Sequence, residues 1–140
     1  MMAKFGTKAF FFGLLTVLVT SIGCKYLNIA GPGGFSRHVP PTSIKAGETT
    51  RLVWEFKGKG RITELCCHFR AAGDSTFRAL PMTKVGRQGE LDVYECFLPA
   101  FGNAAVSVEY YFDSKCDGSY SKDEVIAVPV SSPNQIPSNK

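Results

Sequence analysis

The sequence predicts an all-β fold, a single antiparallel β-sandwich of about seven strands. Short runs of β-branched and aromatic residues alternate with Gly, Pro and Asp breaks at the spacing of sandwich proteins. Within these runs apolar and polar residues alternate, which is typical of strands with one buried and one solvated face. The central part of the chain shows no apolar period of 3.6 residues, so we expect no amphipathic helix there. With 140 residues and 44% hydrophobic content, the chain has material for one such domain.

Alternation also assigns the inward faces of the predicted strands. The strands are expected at residues 42–46, 49–57, 61–71, 76–83, 90–98, 104–113 and 124–130. In four of them the apolar residues recur at every second position, so they share one side of a sheet. The predicted inward set is Leu52, Trp54, Phe56, Leu65, Cys67, Phe69, Tyr94, Cys96, Leu98, Val106, Val108, Tyr110 and Phe112. Tyr111 is out of phase with this set, and we expect it on the surface.

The N-terminal residues have the pattern of an export signal. Lys4 and Lys8 precede the apolar run Ala9–Val19, which is too short to span a bilayer and is typical of a signal-peptide core. The segment Thr20–Cys24 (TSIGC) resembles a bacterial lipobox. The resemblance implies cleavage of residues 1–23 and lipidation of the Cys24 sulfur. The alternative is an ordinary signal peptide with a chance cysteine.

A lipidated Cys24 predicts a location in the bacterial cell envelope. Acyl chains such as palmitate together form a stable membrane anchor. If the cell has two membranes, Lys25 resembles the outer-membrane sorting pattern. Residues 24–40 contain a Gly-Pro-Gly-Gly run and predict a flexible linker, and residues 131–140 predict a disordered polar tail. The domain itself is expected at residues 41–130.

Several motifs of the central region resemble a bacterial immunoglobulin-like, early-set sandwich. They are Pro41–Glu48 (PTSIKAGE), Phe77–Met82 (FRALPM), Tyr94 with Leu98-Pro99-Ala100, Val108–Phe112 (VEYYF) and Asp117-Gly118. The resemblance spans residues 41–130 and implies the fold. Sugar-binding, adhesive and spacing modules all use this fold, so the resemblance implies no single activity.

The cysteines other than Cys24 predict disulfides, because an exported domain with an even number of them is expected to be oxidised. Cys66 and Cys67 are adjacent on a strand and point to opposite faces, so they need different partners. Cys67 faces the core and is expected to bond Cys96. In immunoglobulin-like topology strand 104–113 neighbours strand 61–71, which leads us to expect a Cys66–Cys116 bond. A soft-metal site at Cys66-Cys67-His68 is disfavoured, because metal knuckles separate their cysteines by two or more residues.

Two further segments can each be interpreted either as a binding site or as a turn between strands. The run from Asp113 through Asp117-Gly118 to Glu124 partly matches a calcium loop, but Lys115 occupies a ligand position. We expect a hairpin between the last two strands instead, with Asp117-Gly118 as its turn. The basic loop Lys57–Arg61 could attract an anionic surface. Its glycines favour a solvated hairpin tip, which is our expectation.

The sequence predicts a binding protein without catalysis or cofactor. It contains no G-x-S-x-G, H-E-x-x-H or phosphate-loop motif. Without Lys4 and Lys8, which lie in the leader, the chain has fourteen Lys and Arg residues against twelve Asp and Glu residues. This small excess of positive charge indicates no nucleic-acid partner.

The expected partner is another envelope protein, bound through a sheet face or edge. The alternatives are a carbohydrate-binding module for peptidoglycan or surface glycan, and a hydrolase inhibitor. The expected binding face carries Glu64, His68, Arg70, Glu109 and Tyr111.

The anchor is tested by Cys24→Ser. Without its sulfur the chain cannot accept a diacylglyceryl group, so we expect the variant to leave the membrane fraction or to persist as an uncleaved precursor. Membrane fractionation with immunoblotting measures this. A variant that fractionates and migrates like the wild type would rule out lipidation.

Overall fold

The computed structural model describes residues 27–28 and 34–132. The predicted leader, Cys24, part of the predicted linker and most of the predicted tail lie outside the described residues. The described chain forms eleven strands: β1 (Leu27–Asn28), β2 (Gly34–Arg37), β3 (Ile44–Lys45), β4 (Thr50–Gly58), β5 (Ile62–Ala71), β6 (Arg78–Pro81), β7 (Thr83–Gln88), β8 (Leu91–Leu98), β9 (Ser107–Cys116), β10 (Ser119–Lys122) and β11 (Ile126–Ser131). Within it, no helix is long and apolar enough to cross a membrane.

The strands form two sheets that pack face to face as an immunoglobulin-like β-sandwich. Sheet 1 has the order β1-β2-β4-β8-β7, and sheet 2 has the order β3-β11-β9-β5-β6. Strand β9 is the centre of sheet 2, because β5 pairs along one of its edges while β11 and β10 share the other. Strand β3 runs parallel to β11. At the opposite side of the molecule β1 pairs with β2, with Leu27 opposite Arg37.

The all-β sandwich predicted from alternation is confirmed, and each of the seven expected strands has a counterpart. The buried residues of β4, β5 and β8 are those that alternation placed inward, and β9 adds Ser114 and Cys116 to its predicted set. Val106, which alternation also placed inward, is 79% exposed because it precedes β9, which begins at Ser107 and not at the predicted residue 104. The core set is Ile44, Leu52, Trp54, Phe56, Leu65, Cys67, Phe69, Tyr94, Cys96, Leu98, Phe101, Val108, Tyr110, Phe112, Cys116 and Val128.

The predicted flexible linker is wrong at Leu27–Asn28 and from residue 34 onward. Gly34–Arg37 forms β2, which pairs with β4 in sheet 1. A Cβ atom at Gly34 would overlap the ring of Phe56, so glycine lets β2 approach the core closely. Ser36 and His38 are buried, so this segment belongs to the sandwich.

His38 connects the two sheets through both of its ring nitrogens. Its Nδ1 lies 2.6 Å from the carbonyl oxygen of Val53 in β4, and its Nε2 lies 2.8 Å from the hydroxyl of Tyr110 in β9. The carbonyl can only accept, so Nδ1 carries the proton and, in the neutral ring, Nε2 accepts from Tyr110. Burial lowers the pKa of His38, which keeps the ring in this neutral state.

We expect the protein to lose stability as the pH falls from 7.0 to 5.5. The unfolded chain binds a proton at this histidine near pH 6.5, whereas folded His38 has a lowered pKa. Protonation therefore favours the unfolded state, and the free energy of unfolding should fall by about 1 kcal/mol over this interval. Urea denaturation at each pH measures it.

The matched variants are His38→Gln and His68→Gln. His38→Gln should be less stable at pH 7.0, and its free energy of unfolding should depend less steeply on pH because the contribution of His38 is gone. His68→Gln removes a half-buried surface histidine and should keep the contribution of His38. Equal slopes in the wild type and in His38→Gln would contradict this role of His38.

Candidate functional site

The residues predicted to form a binding face do lie together on the outer side of sheet 2. The register of β5 and β9 places His68 opposite Tyr111, Arg70 opposite Glu109 and Glu64 opposite Lys115. Neighbouring residues extend this surface. We call it the outer patch; its members are Glu64, His68, Arg70, Phe77, Glu109, Tyr111, Asp113, Lys115, Tyr120 and Lys122.

The centre of the outer patch is a stack of side chains around Tyr111. The rings of His68 and Tyr111 are nearly parallel, with centroids 4.7 Å apart. The Nζ atom of Lys122 lies 4.2 Å from the centroid of the Tyr111 ring. His68 is on β5 and Lys122 on β10, and these strands flank β9 on opposite edges. The Tyr111 ring therefore stands between them, with both of its faces covered.

Phe77 and Arg70 extend the stack toward the edge of the sheet. Phe77 packs edge-on against Tyr111, with centroids 5.1 Å apart. The guanidinium of Arg70 lies 4.3 Å from the centroid of the Phe77 ring, and its Nε donates to Glu109 at 2.6 Å. Each of these side chains is thus held by two neighbours.

Asp113 joins the two sides of the outer patch. One of its carboxylate oxygens accepts from the hydroxyl of Tyr120 at 2.6 Å and lies 2.8 Å from Nε2 of His68. The Asp113 carboxylate raises the pKa of Tyr120 to about 12, because losing the hydroxyl proton would break this bond. Despite this hydrogen bond, Tyr120 is 66% exposed.

Five members of the outer patch were missed by the sequence prediction: Phe77, Asp113, Lys115, Tyr120 and Lys122. Asp113 could have been found, since it shares the alternation of Glu109 and Tyr111 along β9. Tyr120 and Lys122 depend on the short β10 hairpin. Phe77 lies in the connection before β6, where no periodic pattern marks its direction.

Cys67 and Cys96 meet in the core, between β5 of sheet 2 and β8 of sheet 1. Both are free thiols in this structure. A side-chain hydrogen bond between the Cys67 and Cys96 sulfurs, together with burial, raises the pKa of Cys67. The same bond lowers the pKa of Cys96. The side chains are therefore adjacent across the sandwich, which is what the predicted pairing requires.

The predicted Cys66–Cys116 bond is not compatible with this geometry. Cys66 is on the outer face opposite Asp113, whereas Cys116 is buried on the core face opposite Ile62. Asp113 and Cys116 are three positions apart on β9, about 10 Å along the strand. The prediction treated Cys116 as lying beyond the strand, but β9 continues to Cys116 and keeps its alternation.

The basic segment Lys57–Arg61 is not a hairpin tip, because β4 and β5 belong to different sheets. It is tied to the turn after β9 by two hydrogen bonds. The Arg61 N–H donates to Asp117 Oδ1 at 3.0 Å, and the Asp117 N–H donates to the Arg61 carbonyl at 3.1 Å. A Cβ atom at Gly60 would overlap the Cys116 sulfur, so a glycine is needed for this close approach.

The predicted turn at Asp117-Gly118 is confirmed, although it joins β9 to β10 rather than to the last strand. Both residues have positive φ, 46° and 82°, as a two-residue hairpin turn requires. Asp113 and Asp117 are engaged in different contacts. In residues 27–28 and 34–132, no group of three His, Cys, Asp or Glu side chains is arranged to hold a metal ion.

Comparison with known proteins supports the fold. No protein-family model matches the chain. No curated protein matches it either. Among solved structures, a cyclomaltodextrinase is similar over 70% of this chain, with a TM-score of 0.50 and 20% sequence identity. The match covers 18% of the cyclomaltodextrinase, so this chain corresponds to a small part of that protein.

We predict that the exported protein contains a single disulfide, Cys67–Cys96. Non-reducing peptide mapping should identify this pair, with Cys66 and Cys116 alkylated as thiols. Reduction should lower the free energy of unfolding by about 2–4 kcal/mol, because the bond closes a long loop in the unfolded chain. Cys66→Ser is the control and should change neither the map nor the stability. A peptide linking Cys66 to Cys116 would contradict the strand register.

Proposed function

We propose that this chain is a non-catalytic, lipid-anchored module of the bacterial envelope that binds another protein through the outer patch. The observation that supports it is the stack of His68, Tyr111 and Phe77 on the solvent side of sheet 2. Tyr and Arg are the residues that most often supply the binding energy of protein interfaces. Here Tyr111 and Arg70 lie on neighbouring strands, and both contact Phe77.

The rigidity of the outer patch favours association. Side chains that are already fixed lose little conformational entropy when a partner binds. The charges of the patch are also paired within it, Arg70 with Glu109 and Glu64 with Lys115. A partner therefore need not supply a counter-charge for each of them, and its contact can rest on the ring edges and the guanidinium plane.

A carbohydrate-binding module is the second candidate, and Tyr120 is the observation that favours it. Sugars stack on open aromatic faces, and Tyr120 is 66% exposed. The similar solved structure is named a cyclomaltodextrinase, which gives the idea a second, weaker support. Tyr111 does not offer such a face, because His68 and Lys122 cover its ring. We therefore favour a protein partner over a carbohydrate. One class of such partner is a hydrolase, which the module would inhibit.

The anchoring part of the proposal rests on the leader and on Cys24. An envelope location also agrees with a Cys67–Cys96 disulfide, since such bonds persist in oxidising compartments. Lipidation would place the domain beside envelope proteins and so raise the effective concentration of its partner.

The test compares Tyr111→Ala with Phe97→Ala in the anchored full chain. Phe97 is an exposed aromatic residue on the outer face of sheet 1, so it controls for loss of any surface ring. Partners captured from detergent-solubilised envelope are quantified by mass spectrometry. A specific partner should lose about tenfold or more in recovery with Tyr111→Ala and should be retained by Phe97→Ala.

Two further variants separate the alternatives. The triple variant Lys57→Ala/Lys59→Ala/Arg61→Ala should retain the partner; if it abolishes capture while Tyr111→Ala is neutral, the outer patch is not the interface. Retention on insoluble peptidoglycan that Tyr120→Ala removes and Tyr111→Ala leaves intact would instead support the carbohydrate-binding module.

A further inference from the structure

A cleft of about 650 Å³ lies at the end of sheet 1, on the other side of the sandwich from the outer patch. Phe35, Lys57, Lys59, Arg87 and Glu90 line it, together with two glycines. Its volume is within the range of small-molecule sites. The cleft extends from the beginning of β2, across the end of β4, to the turn between β7 and β8.

The lining of the cleft is cationic. Lys57 forms an ion pair with Glu90, which neutralises one charge. Arg87 lies 3.5 Å from Asp92, but that carboxylate is also 3.0 Å from Lys84. In the described part of the chain Lys59 has no ion pair. The cleft is therefore lined by three cations and one carboxylate, which favours an anionic ligand.

Strand pairing and hydrogen bonds fix the backbone that carries the cations of the cleft. Phe35 is directly opposite Lys57 in the pairing of β2 with β4, and Gly34 lets this part of β2 lie against the core ring of Phe56. The segment that carries Lys59 is tied to the turn after β9 through Asp117. The ammonium groups thus start from backbone positions that the two sheets determine.

We propose that this cleft binds a phosphate ester whose apolar part contacts Phe35. The phosphate oxygens would accept hydrogen bonds from Lys59 and Arg87, since ammonium and guanidinium groups are the usual partners of phosphate. Phe35 provides an apolar wall beside these charges, as expected for a ligand with a ring or a chain next to its phosphate. The site is independent of the outer patch, which lies on the other sheet.

Calorimetric titration of the full chain in nonionic detergent tests the proposal. The probes are phenyl phosphate and inorganic phosphate for a free ligand, and dihexanoylphosphatidylglycerol for a lipid headgroup. Benzyl alcohol and dihexanoylphosphatidylcholine are their controls without net charge. We expect phenyl phosphate or dihexanoylphosphatidylglycerol to bind, and which of them binds more tightly identifies the source of the ligand. Added salt should weaken binding.

The variant Lys59→Ala/Arg87→Ala should weaken binding at least about tenfold. The matched control is Lys45→Ala/Arg51→Ala, which removes one lysine and one arginine at the other end of the sandwich and should leave the affinity unchanged. Phe35→Ala should weaken the binding of phenyl phosphate more than the binding of inorganic phosphate. The proposal is overturned if none of the anionic probes binds, or if the two double variants lose affinity equally.

Discussion

The structure depends on the pairing register of β9, because this strand carries the core on one side and the outer patch on the other. Val108, Tyr110 and Phe112 point inward at every second position, and Glu109, Tyr111 and Asp113 point outward between them. A shift of one residue against β5 would exchange the two sets. The register is held by the buried aromatic residues and by the bond from Tyr110 to His38 in the other half of the sandwich. The same constraint that closes the core therefore positions every β9 residue of the candidate site.

The two proposed sites differ in how their charges are compensated. In the outer patch Arg70, Glu109 and Asp113 satisfy one another or neighbouring side chains, and the surface presents edges of aromatic rings. In the cleft Lys59 has no ion-pair partner in the described chain, and Arg87 shares its carboxylate with Lys84. The first arrangement suits a large surface that excludes water, and the second suits a small ligand that brings its own charge.

Alternation along the strands was sufficient to predict the sandwich, most of the core and five members of the outer patch. It failed where the pattern is weak or where contacts are distant in sequence. Strand β7 is exposed at every position, so no apolar residue marks an inward face. The glycine-rich run before β2 concealed a strand whose pairing partner, β4, is far along the chain. The burial of Cys116, in contrast, could have been predicted, because counting two residues at a time from Phe112 places it in the core. The position of Lys59 depended on knowing that β4 and β5 lie in different sheets.

The pairing of β1 with β2 has a consequence for where the domain would reside. Leu27 is already part of sheet 1, opposite Arg37, so three peptide steps separate it from Cys24. Such a segment spans about 10 Å at most. A domain acylated at Cys24 would thus rest against the membrane surface instead of standing away from it on a long tether. Its partner would have to be a membrane protein or another molecule that itself lies close to the same leaflet.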